Sequence, residues 1–492
     1  MLQYPPSPIV MKFYPLYQEV FVLRHAFILG ILIHSLPCWS VQTMTRLSRL
    51  SLALKKTTSI NRAVSTITPW TGRKPLKPMI VGGVEKWVWD SNGKIYLDMG
   101  AGLAVASLGH SHPAILDALH SADYVHYTAP SYDVPGREEL SRRILKKAGL
   151  ANGGAFWCNT GSEANNILRQ ASIAYQRSQG RPTRTGFATM QNGFHGAVGD
   201  AREMTRDGRT ETSRNPLLTS EFIALPSPQQ GHESITIEKI REIIAENENK
   251  IGAILVPGHG GSGEACRFDW PQMTNFYQEL STICHDYDIL IFWDCVMSGG
   301  GRTGSDADGK GFFASDHYGE VKNDGRSWAK TLTSGYGPGG LAMVSQQVAK
   351  AIDQEGCNFG STYSGQRATI LAATAVLDEL EKDDHSILRN TRKMGQLWSE
   401  QLAPALLEEF PDLIQESNGT GLLQALIFNP KIDMAKLKEA LLKEGLLPFL
   451  MRHKLNNELI LMITPPLTIN EEEMQIIARG ISKALYHLSK NN

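Results

Sequence analysis

The chain of 492 residues is poor in cysteine, with six in all. Cys38, Cys158, Cys266, Cys284, Cys295 and Cys357 form no CxxC pair. Neither a disulfide scaffold nor a zinc site is expected, and the spacing fits a reducing compartment. An excess of either charge is also missing. Lys plus Arg number 49 and Asp plus Glu 50, for a net charge of -1. That argues against a nucleic-acid partner, which usually meets a basic excess. The apolar stretch 20–33 is broken by Arg24 and His25, and its longest clean run, 26–33, is far below the ~20 residues of a spanning helix. No stable membrane span is expected.

Acidic residues are absent between Glu19 and Glu85, whereas Arg24, Arg46, Arg49, Lys55, Lys56, Arg62 and Arg73 all fall there. Residues 44–66 are rich in Arg, Ser and Leu. On a helix they would be basic on one side and leucine-rich on the other, as in a mitochondrial presequence. A disordered basic tail has the same composition. A signal-peptide core at 20–33 would leave the basic segment behind it without a purpose. Met11 and Met44 both offer starts. Residues 1–73 are therefore read as an N-terminal extension outside the fold, and the location stays open between mitochondrial and cytoplasmic.

The remainder is ordinary globular protein, 42% hydrophobic and 20% charged. A single core stops growing near ~250–300 residues, so at least two lobes are expected. Lys86-Trp87-Val88-Trp89-Asp90 and Lys94-Ile95-Tyr96-Leu97-Asp98 flank Ser91-Asn92-Gly93, a hairpin signal. Strands and helices then alternate: an apolar strand at 155–158, a helix over 163–177, a strand at 251–256, a helix over 270–287, and an apolar run at 289–293 ending in Asp294. Such continuous runs suit strands buried on both faces of a mainly parallel sheet. The class is α/β. A long helix follows Gln366 through Leu380, then strands at 421–428 and 458–464 separated by an amphipathic helix over 433–443. These divide the chain into 74–120 and 375–492 as two parts of a smaller α+β domain, with 121–374 as the large domain between them.

Three positions carry chemistry. Thr160-Gly161-Ser162-Glu163-Ala164 lies between a strand and a helix. Helix N-terminal amides bind phosphate, Gly161 permits close approach, and Ser162 can cap the helix or donate to a phosphate oxygen. A Gly-Ser cap is also a plain structural device. Asp294 ends a fully apolar strand, where a buried carboxylate is costly without a cationic partner. A protonated pyridine nitrogen is one such partner, and a helix cap or salt bridge is another. Lys330, in Trp328-Ala329-Lys330-Thr331-Leu332-Thr333-Ser334-Gly335-Tyr336, precedes a Gly-containing turn rather than a charged helix face. Most lysines are solvated; a catalytic one needs a lowered pKa. Together the three fit pyridoxal 5'-phosphate: phosphate on Gly161 and Ser162, ring nitrogen on Asp294, aldehyde on Lys330, with Phe194 stacked on the ring.

From about Trp87 to Asn470 the chain resembles the class III aminotransferases of fold type I. The likeness runs in order through Tyr96-Leu97-Asp98, Gly109-His110-Ser111-His112-Pro113, Asn159 to Ala164, Phe194-His195-Gly196, Asp294 with Gly299-Gly300-Gly301-Arg302-Thr303-Gly304, Ala329-Lys330 with Gly335-Tyr336, Thr362-Tyr363-Ser364-Gly365, and Pro465-Pro466-Leu467-Thr468-Ile469. The resemblance implies a Schiff base on Lys330 and cofactor contacts from Gly161, Ser162, Phe194, His195, Asp294, Met297 and Thr362. It implies ping-pong transfer from an amine or amino acid to an oxo acid or aldehyde. In the family the threonine matching Thr362 reaches the neighbouring subunit's phosphate, which implies a homodimer with sites at the interface.

Four positions depart from the pattern. Cys295 replaces a Glu, Met297 a Gln near the phenolic oxygen, Val256 the Glu of a Glu-Pro pair, and Met462 an Arg often used on a substrate carboxylate. Losing that arginine removes a bidentate clamp. The substrate is then held by other groups, or its carboxylate is bound elsewhere. Other readings are a racemase, aminomutase, decarboxylase or lyase of the same fold, a catalytically impaired scaffold, and a phosphotransferase using Gly304 to Lys310. The last has Gly311 where magnesium needs Ser or Thr.

Overall fold

A computed structural model describes residues 78–490, apart from 122–124, 130, 216–220, 229–230, 260–265, 268–269, 306–310 and 454–455. The targeting-segment and start-site readings, and residues 306–310 of the phosphate-loop segment, lie outside the described residues.

In chain order the main elements are strands β1 (Ile80–Val84), β2 (Trp87–Asp90) and β3 (Ile95–Asp98); helices α1 (Pro113–His120) and α2 (Arg137–Lys147); β4 (Gly154–Cys158); α3 (Gly161–Ser178); β5 (Gly186–Met190); β6 (Phe222–Leu225); α4 (Glu233–Glu246); β7 (Ile251–Pro257); α5 (Trp270–Asp286); β8 (Leu290–Asp294); β9 (Gly325–Trp328); β10 (Gly340–Val344); α6 (Gln346–Gln354); α7 (Arg367–Leu397); β11 (Ile414–Thr420); β12 (Leu423–Phe428); α8 (Met434–Lys443); β13 (Leu446–Leu447); β14 (Phe449–Arg452); β15 (Leu459–Ile463); and α9 (Glu471–Ser489).

Seven strands form one sheet in the order β4-β10-β9-β8-β7-β5-β6. Only β10 opposes the rest, pairing antiparallel with β4 and β9. The apolar run of β8 is explained by its two faces. Ile291 and Trp293 join the core on one side of the sheet, and Leu290 and Phe292 the core on the other. Alternate side chains of a strand face opposite ways, so burial on both sides needs an unbroken apolar run. The parallel strands end together. Asp294 pairs in register with Pro257 of β7 and Ser327 of β9. The chain therefore leaves β4, β5, β8 and β9 at one edge of the sheet, the edge where open α/β folds bind ligands.

Among the described residues two further sheets have four strands each, β1-β2-β3-β13 and β11-β12-β15-β14. The expected hairpin is β2–β3, closed by Asp90, whose Oδ1 accepts from the Asn92 and Lys94 amides at 2.9 and 3.0 Å. β13 lies parallel to β3, Leu446 opposite Leu97, so chain from both ends shares one sheet.

Two expectations change. The long helix continues to Leu397, but its backbone leaves the helical region at Lys382–His385. The strand expected at 421–428 starts at Leu423 and pairs with β11, which sequence did not signal. β11 reads Ile-Gln-Glu-Ser-Asn-Gly-Thr and buries only Ile414 fully. Its edge position needs no apolar alternation.

Where α7 crosses the β11–β12 turn, Gly395 packs on Gly421. A Cβ at Gly395 would lie 2.4 Å from the Gly421 carbonyl oxygen. Alanine in a helix interior usually stabilises by ~1 kcal/mol relative to glycine. Gly395→Ala is expected to reverse that sign and cost about 1–3 kcal/mol by overpacking. Thermal unfolding checks it; a raised Tm would show that the contact yields.

Candidate active site

Each candidate side chain reaches the sheet edge for a local reason. Helix α3 begins at Gly161, two residues before the expected start, because Thr160 rather than Ser162 is its cap. Thr160 Oγ1 accepts from the Glu163 amide at 3.2 Å, and the Glu163 carboxylate accepts from the Asn159 amide at 2.9 Å. Capping thus leaves the Ser162 hydroxyl unused. The first amides of α3 have no intrahelical acceptor. A Cβ at Gly161 would meet Val296 at 2.6 Å, and one at Gly196 would meet Ser162 Oγ at 2.4 Å. The two glycines therefore bring the α3 turn, the Phe194-His195-Gly196 segment and the chain after Asp294 into contact.

Asp294 is the electrostatic center. Its Oδ2 accepts from Asn165 Nδ2 at 2.9 Å and lies 2.7 Å from His195 Nδ1. Its Oδ1 accepts from the Val296 amide at 3.0 Å and from Ser327 Oγ at 3.4 Å. Burial opposes its ionisation, but His195, the Val296 amide and Asn165 outweigh burial and hold it below the usual carboxylate range. Asn165 also donates to the His195 carbonyl at 2.8 Å. Sequence reasoning missed Asn165, although it stands one helical turn from Gly161, on the same face of α3.

Lys330 follows β9 directly, with φ of 46°, in the left-handed region that few non-glycine residues adopt. Its amine is pushed down to about 8, first by burial and then by Arg209 and Arg302, against the opposing pull of Asp294. That lowering gives the free amine a substantial population near neutral pH, which nucleophilic lysines require.

Arg302 ties the segments together. Fully buried, it donates to the carbonyls of Leu422 at 3.1 Å and Pro465 at 2.9 Å, and to Ser107 Oγ at 3.0 Å. Ser107 Oγ is 2.7 Å from Thr331 Oγ1, beside the lysine. Tyr336 bonds the His112 amide and the Gly109 carbonyl. The Gly109 to Pro113 motif and the Pro465-Pro466-Leu467 motif are thus the anchors of the lysine turn.

The altered positions fall into two groups. Cys295 and Val256 face the large core, and burial pushes the Cys295 thiol up to about 12. Met297 and Met462 meet in a single apolar cluster with Cys266, Phe449 and Met451. Thr362 stands apart from the Asp294 group. It is exposed, on a turn whose Ser361 Oγ accepts from Asn159 Nδ2 at 2.8 Å, beside the α3 cap. Among the described residues no cluster of His, Cys, Asp and Glu suits a metal, and no helix is long and apolar enough to cross a membrane.

A buried carboxylate kept charged, with the His195 Nε2 and Asn165 Oδ1 atoms buried in the same group and without partners among the described residues, suits a cationic or polar guest. A ring whose nitrogen carries a proton fits that need, and the glycine-lined α3 terminus fits a phosphate. The site and sheet are those of a fold type I pyridoxal-phosphate enzyme.

The aminotransferase class-III family model matches residues 71–485, and the chain belongs to that family. It is 29% identical over 417 residues to the acetylornithine aminotransferase of Oceanobacillus iheyensis, covering 83% of this chain and 93% of the relative. It is 30% identical to that of Caldanaerobacter subterraneus, covering 80% and 91%. Among solved structures, an (S)-enantioselective omega-transaminase from Thermomicrobium roseum superimposes with a TM-score of 0.75 at 24% identity, covering 92% of this chain and 100% of that one. A PLP-bound amine transaminase from an uncultivated Pseudomonas species gives 0.75 at 24% identity, covering 87% and 98%. The protein is a pyridoxal-phosphate-dependent aminotransferase acting on small molecules.

The depressed lysine is open to measurement. Labelling of the Lys330 amine in cofactor-free protein, followed by peptide mass spectrometry across pH, is expected to rise with a midpoint near 8. Asp294→Asn removes the group that raises this amine's pKa, so its midpoint is expected to fall further. A midpoint at the ordinary lysine value of 10.5 would contradict the assignment of the field around Lys330.

Proposed function

We propose that Lys330 holds the cofactor aldehyde and moves the proton in both halves of the transfer, from an amine or amino acid donor to an oxo acid or aldehyde acceptor. The observation that carries this is the register that pairs Asp294 with Ser327, three residues before Lys330, so that a buried carboxylate and a buried amine lowered to about 8 leave the sheet at one edge. When bound, pyridoxal phosphate supplies a ring that draws electrons from the carbon bearing the transferred nitrogen. Gly161 and Ser162 would take its phosphate at the α3 terminus. Asp294, oriented by His195 and Asn165, would keep its nitrogen protonated. Phe194 would stack on its ring, and Met297 would lie near its phenolic oxygen. Lys330 Nζ, once free, takes a proton and returns it as general base and acid.

Thr362 would act in a neighbouring copy. Tyr363 beside it is 64% exposed, Tyr127 45% and Tyr132 67%, and the Tyr127 and Tyr363 rings meet edge-on at 5.8 Å. Exposed aromatic patches of this kind are typical of protein interfaces. They support a homodimer, and sedimentation should give twice the chain mass. The shared sheet of β3 and β13 supports grouping 74–120 with 375–492 as the smaller domain, with 121–374 as the larger.

The wild-type holoenzyme is expected to transfer amino groups stoichiometrically from donor to acceptor. Lys330→Ala should lose at least ~100-fold in rate, the usual contribution of a positioned acid–base group. Racemisation or decarboxylation without net transfer would overturn the reading, as would an active alanine variant.

A further inference from the structure

The Phe194-His195-Gly196 turn serves the site at three points. Phe194 is read as stacking on the cofactor ring. His195 Nδ1 lies 2.7 Å from Asp294 Oδ2. Gly196 packs so closely on the α3 turn that a Cβ there would lie 2.4 Å from Ser162 Oγ. The turn belongs to no helix or strand, and His195 and Gly196 are buried. Among the described residues no backbone carbonyl accepts from either of their amides. Buried amides need an acceptor from some other group.

A single hydroxyl supplies it. Thr205 Oγ1 accepts from the His195 amide at 3.0 Å and from the Gly196 amide at 3.1 Å. Its proton goes to the Gly196 carbonyl at 2.6 Å, with the Ala201 carbonyl further off at 3.1 Å. A hydroxyl has one proton and two lone pairs, so this one is fully used. Thr205 is itself buried and held. It ends the short helix Gly199–Met204, where its amide donates to the Ala201 carbonyl at 3.2 Å, and Arg214 donates to its carbonyl. The Arg206 amide then donates to the Gly193 carbonyl at 2.7 Å, which closes the loop around the turn.

We propose that Thr205 is a positioning residue of the cofactor site, whose hydroxyl sets the turn so that Phe194, His195 and Gly196 meet the ring, Asp294 and Ser162 together. The inference rests on the reading that Lys330, Asp294 and Ser162 hold one cofactor. Among the described residues the Thr205 hydroxyl bonds only to backbone, so it acts through the turn. Valine has nearly the same shape but leaves two buried amides without an acceptor, a costly state that the turn can relieve only by moving. Serine keeps the oxygen.

The test compares the full-length wild type with Thr205→Val, Thr205→Ser and Thr189→Val. Thr189 is a matched control: it is buried in β5, and its hydroxyl donates to the Met204 carbonyl at 3.0 Å, outside the turn. Three quantities are read: Kd for pyridoxal phosphate by equilibrium dialysis, the visible circular dichroism of the cofactor once bound, and hydrogen exchange of the His195 and Gly196 amides in cofactor-free protein. For Thr205→Val, Kd is expected to rise roughly 10-fold and the dichroism per bound cofactor to fall at least about two-fold, the effect of one lost buried hydrogen-bonding group. Exchange of the two amides should quicken. Thr205→Ser should restore all three readings, and Thr189→Val should lower Tm while leaving Kd and dichroism at their wild-type values. Wild-type Kd and dichroism in Thr205→Val would overturn the proposal, as would a Thr189→Val that matches it. Should the valine variant fail to fold, the remaining proteins decide: slow exchange of both amides in the wild type and full dichroism in Thr205→Ser support the proposal, and the loss of either overturns it. No reading needs turnover, so a holoenzyme that binds the cofactor and transfers no amino group would count against the Lys330 reading and leave this one standing.

Discussion

A carboxylate held ionised inside the protein is the constraint around which this structure is organised. Asp294 ends a strand whose other residues are apolar and buried on both faces. Moving a charge out of water costs several kcal/mol unless hydrogen bonds replace the lost solvation. Four separate segments provide them: Asn165 from α3, His195 from the loop after β5, the Val296 amide from the chain beyond β8, and Ser327 from β9. Each donor needs its own element to end at the same edge of the sheet. The parallel register and the glycines at 161 and 196 make that convergence sterically feasible.

The second buried charge is Arg302, which among the described residues bonds to carbonyls and a hydroxyl and feels the charge of Asp98. Burial pushes it down to about 9, so it remains a cation at neutral pH. Removing its side chain would take this donor from the buried carbonyls of Leu422 and Pro465, each loss costing about 1–3 kcal/mol. The same bonds fix the turn that carries Lys330 to Leu422 and Pro465, which flank β12 and β15. Stability and reactivity are therefore joined: the contact that holds these segments together also helps to lower the amine of Lys330.

The sequence made the large sheet legible because β7 and β8 are continuous apolar runs, and made the chemistry legible because Asp294 breaks one of them. The hairpin at Ser91-Asn92-Gly93 was legible from turn residues alone. β11 was not, since an edge strand carries no apolar alternation. The break at Lys382–His385 was not, since no proline or glycine marks it. Thr160 as the cap was hidden by Ser162, which also has a hydroxyl at the same junction. Asn165, Arg302 and Arg209 act through contacts made only in three dimensions. Arg209 and Phe194 are fifteen positions apart in sequence, yet their side chains stack. The convergence of Met297 and Met462 on one cluster likewise turns two separate departures from the family pattern into a single apolar wall.

The claim most exposed to refutation is that Asp294 is kept charged in order to hold a proton on the cofactor ring. Nitrogen-15 magnetic resonance of holoenzyme rebuilt with ring-labelled cofactor reads that proton directly. A protonated ring nitrogen is predicted in the wild type, above the pH at which the free cofactor has lost the proton, and a deprotonated one in Asp294→Asn. A deprotonated nitrogen in the wild-type enzyme would contradict the account.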